Sequence, residues 1–570
     1  MKPKKLLAVL LSILLIFGTV LAGCSAGGPK FGKIDNTKWK YNELSDSYYQ
    51  TELVYCKKPT DTAIQSLAVF VPAKYVNPVA NGNGTYTLTI NEYSTIDSYI
   101  PSTAPIIFSI ENSGYTKATA PTGYINKSVE YTQKGYIYVT AGCRGDDAGA
   151  PWGVTDLKAA IRYLRYIKDD IPGDAEKIYA TGKGGAGGLA TVLGTSGDSP
   201  MYDKYLKKIG AVTKTSDAIY GVSCWSPNTS FDTADSAYEW NMGVTRTKMS
   251  SEEKEIASAL TAEYAKYINA LKLKDGKTAL SLNDDNKSGT YTDYLKSVIE
   301  QSLNSFLKST TFPYTADSIS DGDSSDTTEK QSDSQSTTDK NGAIVLPDQP
   351  LDENDKSVAG DGIIRNKSAS ALDINGTYNT AEDYIKALNK NTKWVSYDKK
   401  SNTAKITSVD DFVKQMKGVT RGIGAFDALN KKQAENILFS TDGKGAHFDS
   451  ILYKAVKNNS KYVADFKADL DKKDSIGTTT EQRVDMYNPL YYISSYYDGN
   501  GTSKVAKQWR IRSGISQGDT ALCTEVNLAL ALKNTGATVD FEENWGIGNV
   551  LYEYGDSPAL SNADWISQNK

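Results

Sequence analysis

The sequence predicts an α/β fold: a mostly parallel sheet with helices on both faces and a large helical insertion. Three observations carry this expectation. Short apolar runs of strand length alternate with helical stretches across residues 50–225. The alternation stops near Met242 and resumes at Gln508. The stretch between is long, polar and mainly helical in pattern. Strands alternating with helices build a parallel sheet, because each crossover must pack a helix back onto it.

The elements follow in order. Ser66–Pro72 and Tyr86–Ile90 read as strands. Pro105–Ile110 and Gly135–Thr140 are short and almost wholly apolar, the pattern of strands buried on both faces. Asp156 to Lys168 places Leu157, Ala160, Ile161, Leu164 and Ile167 on one helical stripe. The strand Ile178–Ala180, a glycine-rich turn and a helix through Leu193 come next, then a strand over Asp217–Trp225. In the insertion, residues 250–310 read as helical. Further helices are expected near Ala381–Leu388, Val409–Met416 and Lys432–Leu438. Gln508–Gly514 is the next strand, followed by a helix over Thr520–Lys533 and a strand over Thr538–Phe541. No fixed-period repeat is visible.

The first residues give an address. Met1-Lys2-Pro3-Lys4-Lys5 is basic, Leu6 to Leu21 is apolar, and Ala22-Gly23-Cys24 ends the run. That is the layout of a secretory signal, and Leu21-Ala22-Gly23-Cys24 resembles a bacterial lipobox. The resemblance implies cleavage before Cys24 and lipidation of its thiol. A non-cleaved transmembrane anchor is the alternative. The expected layout is a signal peptide at 1–23, a tether at 24–38 and a first core part at 39–240. A lid insertion follows at 241–480, with a disordered linker at 315–342, and a second core part at 481–570. The protein is expected outside the cell, lipid-anchored to the outer face of the cytoplasmic membrane. Acids and bases nearly balance at a net charge of −4, and no basic stripe suits nucleic acid. Tyrosine is heavily used, 37 against 13 Phe; its amphipathic ring suits sugar or phenolic ligands as well as ordinary extracellular sheets. Cys56, Cys143, Cys224 and Cys523 remain after Cys24, and an exported chain permits them to pair. No CxxC or HxH supports a metal site, and no cofactor is expected.

The chemistry centres on Lys177-Ile178-Tyr179-Ala180-Thr181-Gly182-Lys183-Gly184-Gly185-Ala186-Gly187-Gly188-Leu189. A buried strand, a sharp turn and a helix start are the layout of a nucleophile elbow, where G-x-S-x-G holds a serine on a strained turn. Here Gly184 stands at the serine position. The chain has one histidine, His447, so a Ser-His-Asp system has little to be built from. Gly182 to Gly187 also matches G-x-G-x-x-G, but a dinucleotide site wants that motif in the opening βαβ unit, and here it follows several strands.

Several further motifs fall in one order: Tyr138–Gly145, Pro151–Tyr163, the turn with Leu193–Ser199 after it, Met486–Tyr492, Trp509–Gly514, Gln517–Ala521 and Asn544–Asn549. On these the chain resembles the bacterial tannase-like or feruloyl-esterase-like α/β-hydrolases over most of 50–240 and 440–570. The resemblance implies a lid inserted into the sheet domain, acyl-serine ester hydrolysis and aromatic acyl substrates. It also assigns positions: the nucleophile to Gly184, the acid to Asp519 and the base to Asn549, in Trp545-Gly546-Ile547-Gly548-Asn549. Glycine has no atom to attack a carbonyl, and an asparagine amide does not accept and return a proton near neutral pH. Gly185, with Cys143 and Arg144 on the Gly142–Gly145 loop, would supply the oxyanion donors. Asp519 is read either as the old acid or as a helix N-cap, and His447 as a structural group or a cleft residue. Lys183 either faces solvent or pairs with Asp519 or an anionic ligand, and Cys143 is either structural or a replacement nucleophile. The expected function is a degenerate esterase-like cleft that binds an aromatic ester, phenolic acid or glycan. A residual or altered ester hydrolase and a partner-binding scaffold are the alternatives.

Overall fold

The structure is a computed structural model that describes residues 33–112, 114–316, 337–338, 344–345, 372, 374–457, 460–548 and 557–569. The expected signal peptide with Cys24, most of the expected linker at 315–342, and Asn549 lie outside the described residues. Among the described residues, nine strands form one sheet: β1 Lys40–Asn42, β2 Ser47–Val54, β3 Ser66–Pro72, β4 Pro105–Ser109, β5 Ile137–Ala141, β6 Asp174–Lys183, β7 Gly221–Trp225, β8 Gln508–Gly514 and β9 Thr538–Asn544. Their spatial order is β1-β2-β3-β5-β4-β6-β7-β8-β9. The first three strands and β5 pair antiparallel. From β5 across to β9 every pair is parallel.

The parallel strands are where the apolar runs are densest. All five residues of β4, β5 and β7 are buried, because helices cover both faces of a parallel sheet. Helix α1, Trp152–Tyr166, buries its apolar stripe as expected. It also buries Asp156 and Lys158, and each is paired. Asp156 accepts from the Arg144 side chain at 2.6 and 2.8 Å. Lys158 Nζ lies 2.8 Å from Asp217 and 2.6 Å from the Ser196 carbonyl. The strand over Tyr86–Ile90 forms, but in a separate hairpin with Val76–Ala80 rather than in the main sheet.

Residues 226–507 lie between neighbouring strands β7 and β8. They include a helix at Ala234–Met242 and long helices at Ser251–Leu271 and Thr290–Ser309. No described helix is long and apolar enough to cross a membrane. Cys56, Cys143, Cys224 and Cys523 are buried free thiols.

Candidate active site

The C-terminal ends of the parallel strands are where an open α/β sheet presents its loops to a ligand. The turn after β6 lies there. Gly184 has φ 55° and ψ −120°, a conformation that glycine adopts freely and that strains other residues. Its N–H donates to the Trp225 carbonyl at 3.0 Å. Its carbonyl accepts from Gly188 at 2.9 Å and Asn228 at 3.1 Å. A Cβ built on Gly184 meets nothing within 4 Å, so a side chain there would enter open space.

The neighbouring glycines are packed hard. A Cβ on Gly182 would lie 2.5 Å from the Ala186 carbonyl, and one on Gly185 would lie 2.6 Å from the Tyr115 nitrogen. Helix α2, Gly185–Thr195, therefore starts tightly against the strand it leaves and against the 114–115 loop. Its first-turn N–H groups have no carbonyl one turn back, which makes this end a natural seat for negative charge.

The Cys143 and Arg144 N–H groups, expected as oxyanion donors, each have a partner within the fold. The Cys143 N–H donates to the Ala118 carbonyl at 2.9 Å, and the Arg144 N–H to Asp156 at 3.0 Å. Both are committed. Their loop follows β5, whereas β6 pairs with β4, and the loop after β4 is the one that brings Tyr115 against Gly185. Nor is Cys143 poised to attack. Burial, then Asp156, pushes its thiol up to about 12, and Sγ sits 3.2 Å from Asn112 Oδ1.

Asp519 is buried in the loop after β8. It does not cap the following helix, Leu522–Thr535, whose N-cap is Ala521 with no side-chain bond. The backbone beside Asp519 is fixed by the insertion: Tyr238 and Thr420 each donate a hydroxyl to the Gly518 carbonyl at 2.9 Å. The loop after β9 lies alongside. The Ser516 backbone N–H donates to the Ile547 carbonyl at 2.9 Å, and a Cβ on Gly514 would meet the Gly548 carbonyl. The described chain up to Gly548 thus lies beside the start of the loop that carries Asp519. Lys183, at the end of β6, is half-buried and in register with Trp225.

His447 is held away from solvent. Its Nδ1 is 2.7 Å from Asp427 Oδ1, and its ring stacks on Phe466 at 3.6 Å. Asp427 also accepts from the Phe448 and Asp449 N–H groups at 2.8 and 2.9 Å. This is the structural alternative for His447: it ties together the 427 and 447 segments of the insertion.

Sequence reasoning missed two groups. Asn228, whose N–H reaches Gly184, donates its amide to Glu435 at 3.2 Å, and Arg421 lies 3.5 Å from the same carboxylate. A buried polar chain therefore runs from the turn into the insertion. Lys417 is buried near Glu525, Glu543 and Asp519; burial lowers its pKa, and those acids oppose the shift. Neither group carries a motif. Among the described residues, no group of three or more His, Cys, Asp or Glu is set to hold a metal ion.

The comparisons fit this geometry. The BD-FAE family model matches residues 96–274, the segment holding β4 to β7 and the turn. The tannase of Fusobacterium nucleatum superposes with a TM-score of 0.67 at 25% identity, over 95% of this chain and 99% of that one. The tannin acyl hydrolase of Lactobacillus plantarum gives 0.66 at 23% identity, over 94% and 98%. A tannin acyl hydrolase in complex with ethyl gallate gives 0.63 at 23% identity, over 95% and 98%. The chain has the tannase-like α/β-hydrolase fold. No curated protein sequence matches it. The segment between β7 and β8 reaches the strand-end loops: Thr420 donates to the Gly518 carbonyl and Glu435 accepts from the Asn228 amide.

Proposed function

We propose that this protein is an exported, lipid-anchored member of the tannase-like hydrolases whose cleft binds an aromatic ester, phenolic acid or glycan without cleaving it. The carrying observation is Gly184. It sits at φ 55°, ψ −120° on the strand-to-helix turn, beneath open space, and has no side chain to attack an acyl carbon. Asn549 in the expected base position supports the same reading. Triad members act as a unit, so losing one costs about 10⁴–10⁶ in turnover.

The parts that bind rather than react remain suited to a ligand. The start of α2 favours an ester carbonyl or a carboxylate. Glu435 offers an acceptor for phenolic hydroxyls, with Arg421 beside it. An altered hydrolase would need another nucleophile or base. The Cys143 thiol is pushed up to about 12 and His447 is bound to Asp427 and buried, which favours the binder.

Calorimetric titration with ethyl gallate and with 3,4-dihydroxybenzoate tests the proposal. Saturable binding with no product and no change in protein mass is expected. A burst of acyl release with an acylated protein would sink it.

A further inference from the structure

We infer that the end of the sheet opposite the cleft is a membrane-facing surface that beds the protein on anionic lipid. The inference rests on the lipid-anchor reading above and adds an orientation to it. Among the described residues seven large hydrophobic side chains are exposed, and six lie on the strand-start side: Tyr41, Leu44, Val79, Tyr93, Ile100 and Tyr166. Three of these stand nearly free of the fold, with Tyr93 94%, Leu44 93% and Val79 66% exposed.

Their shared placement follows from the pairing. Leu44 is on the β1–β2 turn, and Asp46 of that turn accepts from Ala73, just past the end of β3. β3 runs antiparallel to β5, so that end lies with the starts of the parallel strands. Val79 is in the hairpin that follows. Tyr93 follows Asn91, which donates to the Tyr75 carbonyl, and the Tyr75 hydroxyl reaches Gly135, just before β5. The Ile100 loop is bound through Pro101 to Gly173, just before β6. Tyr166 ends α1, which returns to this side.

The row continues into a cationic groove. A cavity of about 610 Å³ opens at the starts of β6, β7 and β8, lined by Lys177, Lys507 and Tyr220 together with Arg165, which pairs with Glu176 at 3.5 Å, and Lys504, which pairs with Asp198 at 2.9 Å. Lys177 Nζ stands 3.6 Å over the Tyr220 ring. Exposed aromatic and aliphatic tips beside lysines suit the headgroup boundary of a bilayer with anionic lipid.

The chain reaches the body at this same end. Lys33 pairs with Asp170 at 3.4 Å, in the loop between α1 and β6. From Cys24 to Lys33 is nine residue steps, about 32 Å at full extension. A lipid on Cys24 would keep this face, and not the cleft, close to the membrane. The cleft then opens outward.

The test uses the full chain, purified from a bacterial membrane, with its N-terminal peptide weighed to read Cys24. It is reconstituted on vesicles of brominated phosphatidylcholine with or without phosphatidylglycerol. A fluorophore on Val79→Cys or Tyr93→Cys is expected to shift to the blue and lose most of its emission. One on Lys444→Cys, exposed beside the 143–151 loop, should keep its emission. Lys177→Gln and Lys507→Gln should each weaken the response with phosphatidylglycerol about fivefold. Floating protein with every probe unquenched would overturn the proposal and leave the anchor standing. An unmodified Cys24 would overturn the anchor. Sedimentation of that unlipidated protein with phosphatidylglycerol vesicles then decides the face: binding supports it and no binding overturns it. A response that follows protein concentration instead of lipid would make the face a self-association surface and also overturn it.

Discussion

Tyr115 and Asn228 meet above the turn: the Tyr115 phenol donates to the Asn228 carbonyl. The Asn228 N–H in turn donates to Gly184 at 3.1 Å. The loops after β4 and β7 are thereby pinned to each other and to the start of α2. The pin sits directly over Gly188, where an added Cβ would lie 2.0 Å from the Tyr115 hydroxyl and 2.1 Å from the Asn228 carbonyl. Gly188→Ala should cost about 2–3 kcal/mol as overpacking. Urea unfolding checks this; a change below about 1 kcal/mol would mean that the pin yields easily.

On the function proposed above, two substitutions should give the turn ester-hydrolysing chemistry. Gly184→Ser places a hydroxyl in open space at a backbone strain of about 1–3 kcal/mol. With Asn549→His added, aryl-ester hydrolysis should exceed that of Gly184→Ser alone by at least about 10³-fold. Initial rates on an activated aryl ester provide the measurement. A folded double variant as inert as the parent would remove position 549 as the base position.

Asp217 holds a buried cation pair. Lys158 lies 2.8 Å and Arg162 2.6 Å from its carboxylate, and Lys158 and Asp217 are almost wholly buried. Asp217→Ala would leave the Lys158 ammonium unpaired in the interior, at a cost of about 3–5 kcal/mol. Chemical denaturation should find that loss. A cost within about 1 kcal/mol would show that Ser196 and water suffice.

Stability should fall as pH rises through the weakly acidic range, contrary to the habit of paired carboxylates. Burial, then Asp427, pushes Asp235 up to about 7, and burial with Asp235 raises Asp449 well above the carboxylate range. Unfolded, both ionise near 4. Between about 4 and 7 the folded chain holds more protons than the unfolded one, so the pair's contribution is present below that window and is lost across it. The Asp449→Asn amide oxygen can still accept from the Ile451 and Leu452 N–H groups, which now lie 2.6 and 3.0 Å from Asp449 Oδ1. Its NH₂ can donate to Asp235, as a protonated carboxyl would. That variant should flatten the Tm–pH curve. An unchanged slope would place the proton elsewhere.

Much of the sheet was legible because β4, β5 and β7 are apolar apart from Ser109, Thr140 and Ser223, and the turn was legible because Gly182–Gly188 is dense in glycine. The loop that packs against Gly185 was not. Which loop lies beside Gly185 depends on β4 sitting between β5 and β6, and strand order is not written in any local pattern. The polar chain through Asn228 and Glu435 was hidden for a similar reason: the partners are 207 residues apart, in a segment whose polar residues look solvated. For Asp519 the sequence left acid and cap both open because it stands three residues before the helix start; the N-cap there is Ala521.

The buried thiols have a practical consequence. Cys56, Cys143 and Cys523 are each pushed up to about 12 by burial, and Cys224 is raised as well. None offers thiolate to a reagent at neutral pH. A single cysteine engineered at position 184, at a helix start beneath open space, would stand out as an addressable handle. The cleft could then carry a reporter dye and signal its own occupancy.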